Sequence, residues 1–284
     1  MLGNFSPNTF SYVAGSHLTT RPPANGGSAW GTTVTPGNNT YGSWAQLIAA
    51  TTYDTFYIEV NFNSVTTAAA VKDCIANIGI DPAGGTAYTT LIPHLLCSDA
   101  QYTAYTGHWG VSYQFPVFIP AGSSIACQMS VNNATVGTGR CNIKVYGQPS
   151  HPEKIKFGTS VEAVGITTAT STGTVVTSGT TSEGAWVNLG TTTARGCFLQ
   201  FGVSHTASTM GNEAFHADVS FGGTFGKTIV IQDAQIYLTN AESVSMIQPP
   251  AWCSIPSGDT IYGRYQCGDA PTAGIGMAAY VVRE

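Results

Sequence analysis

Apolar and polar residues alternate with period two over much of this chain. Phe56, Ile58, Val60 and Phe62 fall on one side of an extended segment, and Tyr57, Glu59 and Asn61 on the other. That pattern predicts a strand with one dry and one wet face. Cys197, Leu199, Phe201 and Val203 alternate in the same way with Phe198, Gln200 and Gly202. Further strands are predicted over 111–118, 125–131, 142–146, 228–232, 235–238, 261–267 and 277–282. The turn signals Pro36-Gly37-Asn38-Asn39, Asp81-Pro82-Ala83-Gly84-Gly85, Asn132-Asn133 and Gly222-Gly223 separate them. Only Ala68–Ile75 carries a helical pattern, and it is short. Many strands without crossover helices make the expected fold all-β, a β-sandwich of jelly-roll type.

The chain also repeats itself. Gly31–Leu47 aligns without a gap on Gly173–Leu189, with 8 of 17 positions identical, among them Trp44/Trp186 and Gly42/Gly184. Ile119-Pro120-Ala121-Gly122 then matches Ile255-Pro256-Ser257-Gly258, with the offset changed from 142 to 136. Two copies are too few for a solenoid, and each is long enough to close its own core. The expected organisation is two tandem homologous domains, 1–150 with an N-terminal arm over 1–30, and 151–284. The boundary falls in the polar, Pro-containing stretch Gln148–Lys154.

Two repeated motifs have mechanical readings. In Ile-Pro-x-Gly, Pro120 and Pro256 pre-set the first turn position, and Gly122 and Gly258 supply a positive φ later in the turn. Trp44 and Trp186 read as core anchors, since a large indole matched in both copies usually packs.

Composition narrows the function classes. Only 9% of the 284 residues are charged, against roughly 25% in ordinary globular proteins. Hydroxyl side chains, 38 Thr and 23 Ser, supply the polar surface instead. The net charge is −5 and Lys and Arg are not clustered, so the footprint of nucleic-acid binding is missing. No apolar run reaches the length of a membrane span, and the N-terminus has neither the basic start nor the apolar stretch of a signal peptide. The seven cysteines are dispersed without a CxxC pair, which argues for buried reduced thiols and against a zinc framework. A single disulfide, for example Cys127 with Cys141, is the alternative.

Candidate chemistry is sparse. HExxH, GxSxG and a phosphate-binding Gly-Lys-Ser/Thr loop do not occur. His216 and Asp218 share a strand face with Glu213 nearby, a set able to hold a metal or orient a base. A partly exposed polar strand end is the simpler reading, because the first copy has Ile75-Ala76-Asn77 at that place. No catalytic residue, metal or cofactor is therefore expected. The segment Tyr102–Tyr113 is the most aromatic in the chain, and Tyr102, Tyr105 and His108 are its candidates for an exposed ligand-binding patch.

Trp44-x-x-Leu47 followed by Thr51-Thr52, then a strand, then Phe115–Ala126, set in a duplicated β-domain, resembles virion structural proteins of tailed bacteriophages. In that family the turn often reads Ser-Arg, where this chain has Ser123-Ser124 and, in the second copy, Asp259-Thr260. The resemblance implies a non-catalytic, oligomeric component of the virion, in the tail or fibre apparatus or decorating the head. Its partners would be copies of itself and other virion proteins. The alternative is a carbohydrate-binding adhesin that recognises host surface glycans through the Tyr102–Trp109 loop.

Overall fold

The computed structural model describes residues 17–19, 31–66, 74–97, 111–131, 138–148, 158–205, 213–223, 226–238, 243–244, 251–268 and 274–284. Among these residues there is no helix. The first half forms β1 (His17–Thr19), β2 (Thr32–Val34), β3 (Gly37–Asn38), β4 (Ala45–Ile48), β5 (Asp54–Thr66), β6 (Cys74–Asp81), β7 (Thr89–Leu96), β8 (Val111–Phe115), β9 (Ser124–Val131) and β10 (Thr138–Gln148). The second half forms β11 (Ser160–Val164), β12 (Thr174–Val176), β13 (Val187–Thr191), β14 (Gly196–His205), β15 (Glu213–Gly223), β16 (Gly226–Leu238), β17 (Ser243–Val244), β18 (Ala251–Ile255), β19 (Thr260–Cys267) and β20 (Ile275–Arg283).

These strands build two tandem β-sandwiches of two sheets each. Sheet I runs β1-β10-β5-β8 with β2 also on β10, and sheet II runs β3-β9-β6-β7 with β4 also on β9. Sheet III, β11-β20-β14-β18 with β12 on β20, repeats the order of sheet I. Sheet IV, β13-β19-β15-β16-β17, repeats the β4-β9-β6-β7 order of sheet II. Even the parallel pairing of β3 with β9 has its counterpart in an isolated parallel bridge between Gly179 and Gln266. The expected boundary at 148–154 lies almost wholly outside the described residues, as do Ala68–Asp73 of the expected helix. Its last two residues, Cys74 and Ile75, open strand β6 instead.

The repeated Ile-Pro-x-Gly turn is the same device in both sandwiches. Gly122 and Gly258 have φ of 83° and 86°, which a side chain would strain. Ser123 N–H donates to Pro120 O and Asp259 N–H to Pro256 O, both at 3.3 Å. Pro is thus the residue that opens the turn, one place earlier than expected. The Thr after the Trp-x-x-Leu segment locks it. Thr51 Oγ1 donates to Pro120 O at 2.9 Å and Thr192 Oγ1 to Pro256 O at 3.0 Å.

Trp44 and Trp186 do not anchor the cores. Both are half-exposed on the outer faces of sheets II and IV. Leu47 and Leu189, three residues on, take the core positions. An odd spacing on an extended strand puts the two side chains on opposite faces.

The two cores meet at sheet III. Leu199, Phe201, Val203, Met277, Ala279 and Val281 point into the second core. The other face, with Phe198, Ala278, Tyr280 and Val282, closes the first core. The expected wet face of the 197–203 strand is therefore dry: Phe198, Gln200 and Gly202 are all buried. Tyr280 OH accepts from Leu96 N–H at 2.8 Å and donates to His94 O at 3.1 Å, and Tyr113 OH donates to Leu96 O at 2.6 Å. Gln200 Oε1 accepts from Gln114 N–H at 2.8 Å. Contacts between domains of one chain are ordinarily polar and mobile; here a single apolar core runs across the junction.

Candidate functional site

The four sheets place two equivalent polar clusters on the outer faces of sheets II and IV. Each forms at a β-bulge. Opposite Asn77 on β6, strand β7 inserts Pro93 and His94; opposite Asp218 on β15, strand β16 inserts Gln232 and Asp233. His94 and Asp233 have φ of 54° and 52°, a conformation non-glycine residues rarely adopt. The side chain across the bulge caps each one. Asn77 Oδ1 accepts from His94 N–H at 2.8 Å, and Asp218 Oδ1 accepts from Asp233 N–H at 2.7 Å.

In the second sandwich this cluster is charged. Asp218 is buried, and its second oxygen accepts from Arg264 Nε at 2.9 Å and Nη2 at 2.8 Å. Arg264 also pairs with Glu183, and its guanidinium lies 4.2 Å from the ring centre of Trp186. The carboxylate oxygens of Glu183, Asp218 and Asp233 lie within 4.8 Å of one another, the one group of three or more metal-ligating side chains this close among the described residues. Arg264 sits among them as an internal counter-cation. Desolvation, then the Asp218 carboxylate beside it, push the Glu183 carboxyl above its usual range, against the pull of Arg264.

In the first sandwich the corresponding positions are neutral. Tyr41 stands where Glu183 does, Asn77 for Asp218, His94 for Asp233 and Gln128 for Arg264. Tyr41 OH and His94 Nδ1 are 2.6 Å apart. Burial lowers the His94 imidazole and raises the Tyr41 phenol, so both are neutral near pH 7 and the hydrogen bond between them is uncharged. Trp44 lies over Gly79, where an added Cβ would come within 2.6 Å of the indole. Tyr88 packs at 5.6 Å from it, and Gln46 Nε2 donates to Tyr88 OH at 3.2 Å.

Of the residues singled out from sequence, Tyr102, Tyr105 and His108 lie outside the described residues. Asp218 joins Arg264, Glu183 and Asp233, whereas His216 is exposed on the same face and Glu213 opens β15. Pro120, Gly122, Pro256 and Gly258 form the two turns. Glu183, Asp233, Arg264, Tyr41, Tyr88 and His94 were not singled out. The alignment of Asn77 with Asp218 was the one pointer to them.

The cysteines are packing residues. Cys74, Cys97, Cys127, Cys141 and Cys267 are buried, and Cys197 and Cys253 half-buried. Cys97 Sγ approaches Cys74 Sγ at 3.2 Å, and burial holds the Cys97 and Cys127 thiols well above their ordinary range. Among the described residues no helix is long and apolar enough to cross a membrane.

No protein-family model matches the chain, and no curated protein does. Among solved structures it is similar to N-glycanase F (PNGase F) at 9% identity, with a TM-score of 0.37, over 88% of this chain and 94% of that one. It is also similar to the CBM22-1-CBM22-2 tandem domain of Paenibacillus barcinonensis Xyn10C at 11% identity, with a TM-score of 0.26, over 95% and 92%. A structure of infectious bursal disease virus, Gx strain, matches at 10% identity, with a TM-score of 0.20, over 94% and 70%. At these identities no activity is carried over to this chain.

Proposed function

We propose that the chain is a non-catalytic structural protein that assembles with copies of itself, of the kind built into the virion of a tailed bacteriophage. Tail, fibre and head-decoration positions all suit it. The observation that carries the assembly is a difference between two equivalent ends. The first sandwich ends at β7 and β8, and sheet III caps that end. The corresponding strands of the second sandwich are β16, which carries only the two-residue β17 beyond it, and β18. Among the described residues Ile229 there is 43% exposed, and Trp252, whose ring meets Phe198 at 5.2 Å, is 61% exposed. Among the described residues strand β18 is a sheet edge, and it has no charged residue, the kind of edge that invites a partner. A second copy is the occupant this end fits, because the equivalent end is already filled by a sandwich of the same construction. The fused core makes each chain one stiff block, and the hydroxyl-rich, weakly charged surface offers little self-repulsion. The virion setting rests on the sequence resemblance.

Light scattering on the purified full chain, with immunogold labelling of phage particles from the producing cells, tests this. The expected result is an oligomer that Trp252→Glu or Ile229→Glu dissociates, and labelled particles. A wild-type chain that stays monomeric at high concentration and labels no particle overturns it.

A further inference from the structure

The outer face of sheet II carries a feature that assembly does not use. The six-membered ring of Trp44 reaches over Gly79 through Cη2 and Cζ3, and the room it occupies exists because that position has no side chain. Tyr88 sits beside it, tilted by 45°. Gln46, Tyr41 and His94 surround the pair with amide, phenol and imidazole groups. None of these side chains is fully exposed or fully buried except Gln46, which is exposed. In the second sandwich the equivalent indole, Trp186, has a stacked partner from within the chain, the Arg264 guanidinium. In the first sandwich Gln128 replaces that arginine, and no described cation lies over Trp44. The fold thus holds two equivalent indoles, of which Trp186 carries a cation on its ring and Trp44 only the tilted ring of Tyr88 at its side.

We propose that Trp44 and Tyr88 form a stacking platform for a neutral saccharide, with Gln46 and His94 at its polar rim. A pyranose ring presents an apolar face of C–H groups to an aromatic surface and a rim of hydroxyls to amide and imidazole groups. That is the balance of surfaces found here. The absence of Lys and Arg from the five residues argues against a phosphorylated or nucleic-acid ligand, whose binding rests on cations. This site is separate from the open end of the second sandwich, so either proposal stands without the other.

The test uses the full chain. Cellohexaose, maltohexaose and an array of neutral bacterial glycans are screened first, and the glycans retained are titrated by calorimetry against wild type, Trp44→Ala, Tyr88→Ala and Trp186→Ala. The expected result is saccharide binding that weakens about tenfold or more in Trp44→Ala and Tyr88→Ala, as for aromatic anchors in general, and is unchanged in Trp186→Ala. Circular dichroism and melting curves establish that the variants fold, and Trp44→Phe, which retains a ring, keeps part of the affinity. Wild-type chain that retains no glycan overturns the proposal. So does equal binding by Trp44→Ala, or a preference for single-stranded oligonucleotides over every saccharide.

Discussion

Sheets I and III have the same strands in the same order, yet one shows its outer face to water and the other buries it. On sheet I that face carries Tyr57, Glu59, Asn61, Asn142, Lys144 and Tyr146. Lys144 Nζ meets Glu59 at 2.7 Å, and Asn61 and Tyr146 donate to the same carboxylate at 3.0 and 3.2 Å. The equivalent positions on sheet III are Phe198, Gln200, Gly202, Ala278, Tyr280 and Val282, all buried. The inward faces of the two sheets remain interchangeable in kind, with Ile58, Val60 and Phe62 answering Leu199, Phe201 and Val203. A duplicated sandwich keeps its core code because each copy must close its own core. The opposite face is free to become a surface or a second core, and its composition decides whether the copies swing or fuse.

The largest effect tests the fused junction. Tyr280→Ala removes a fully buried ring and the two backbone hydrogen bonds at its hydroxyl, and is expected to cost about 3–5 kcal/mol in denaturant unfolding. Lys144→Ala, at the equivalent place on sheet I, is expected to cost at most about 1 kcal/mol. Equal losses would break the comparison.

The bulge clusters come next. Asp218→Asn leaves Arg264 short of its buried carboxylate and is expected to cost about 3 kcal/mol. The double variant Asp218→Asn/Arg264→Gln copies Asn77 and Gln128 of the first sandwich and is expected to recover most of that loss. A double variant whose costs simply add shows that the two clusters are not alternative solutions to one problem.

Where the halves agree, so should the measurements. Thr51→Val and Thr192→Val each remove the hydroxyl that locks the Pro-x-Gly turn, and each is expected to cost about 1–2 kcal/mol. A clear inequality between them would mean that the turn is not one device used twice.

The smallest effect separates two glutamates by sign. Burial works to raise the Glu59 carboxyl, but the hydrogen bonds from Lys144, Asn61 and Tyr146 outweigh it and hold it below the usual value. Its contribution to stability is therefore present above the unfolded pKa and lost as pH falls through the lowered folded one. Glu183 is raised, so its contribution is present at low pH and lost as pH rises through its raised pKa. Urea midpoints across the acid range should show a flatter acid loss in Glu59→Gln and the opposite change in Glu183→Gln. Shifts of the same sign in both variants would refute the assignment.

Much of this was legible from residues alone. The β5 alternation, the gapless match of 31–47 on 173–189, and the positive φ of Gly122 and Gly258 follow from local sterics and side-chain period. The errors have local causes too. Strand β7 escapes the alternation pattern because Pro93 interrupts it, and the bulge at an edge strand is what accommodates the proline. Strand β16 read as two strands because Asp233 breaks the alternation at the equivalent bulge. Trp44 and Trp186 are large enough to suggest core anchors, yet their spacing of three from a core leucine places them outside.

The sequence by itself determined the strands, their inward faces, the repeated turn and the duplication, because each depends on residues within a few positions of one another or on a direct comparison of the two copies. Only the tertiary structure decided that Phe198 and Tyr280 complete the core of the other sandwich, that Arg264 stacks on Trp186, and that Trp44 is left without such a partner. Alternation says that a residue faces outward; what it then meets is set by chain many tens of residues away, brought there by the docking of one sandwich against the other.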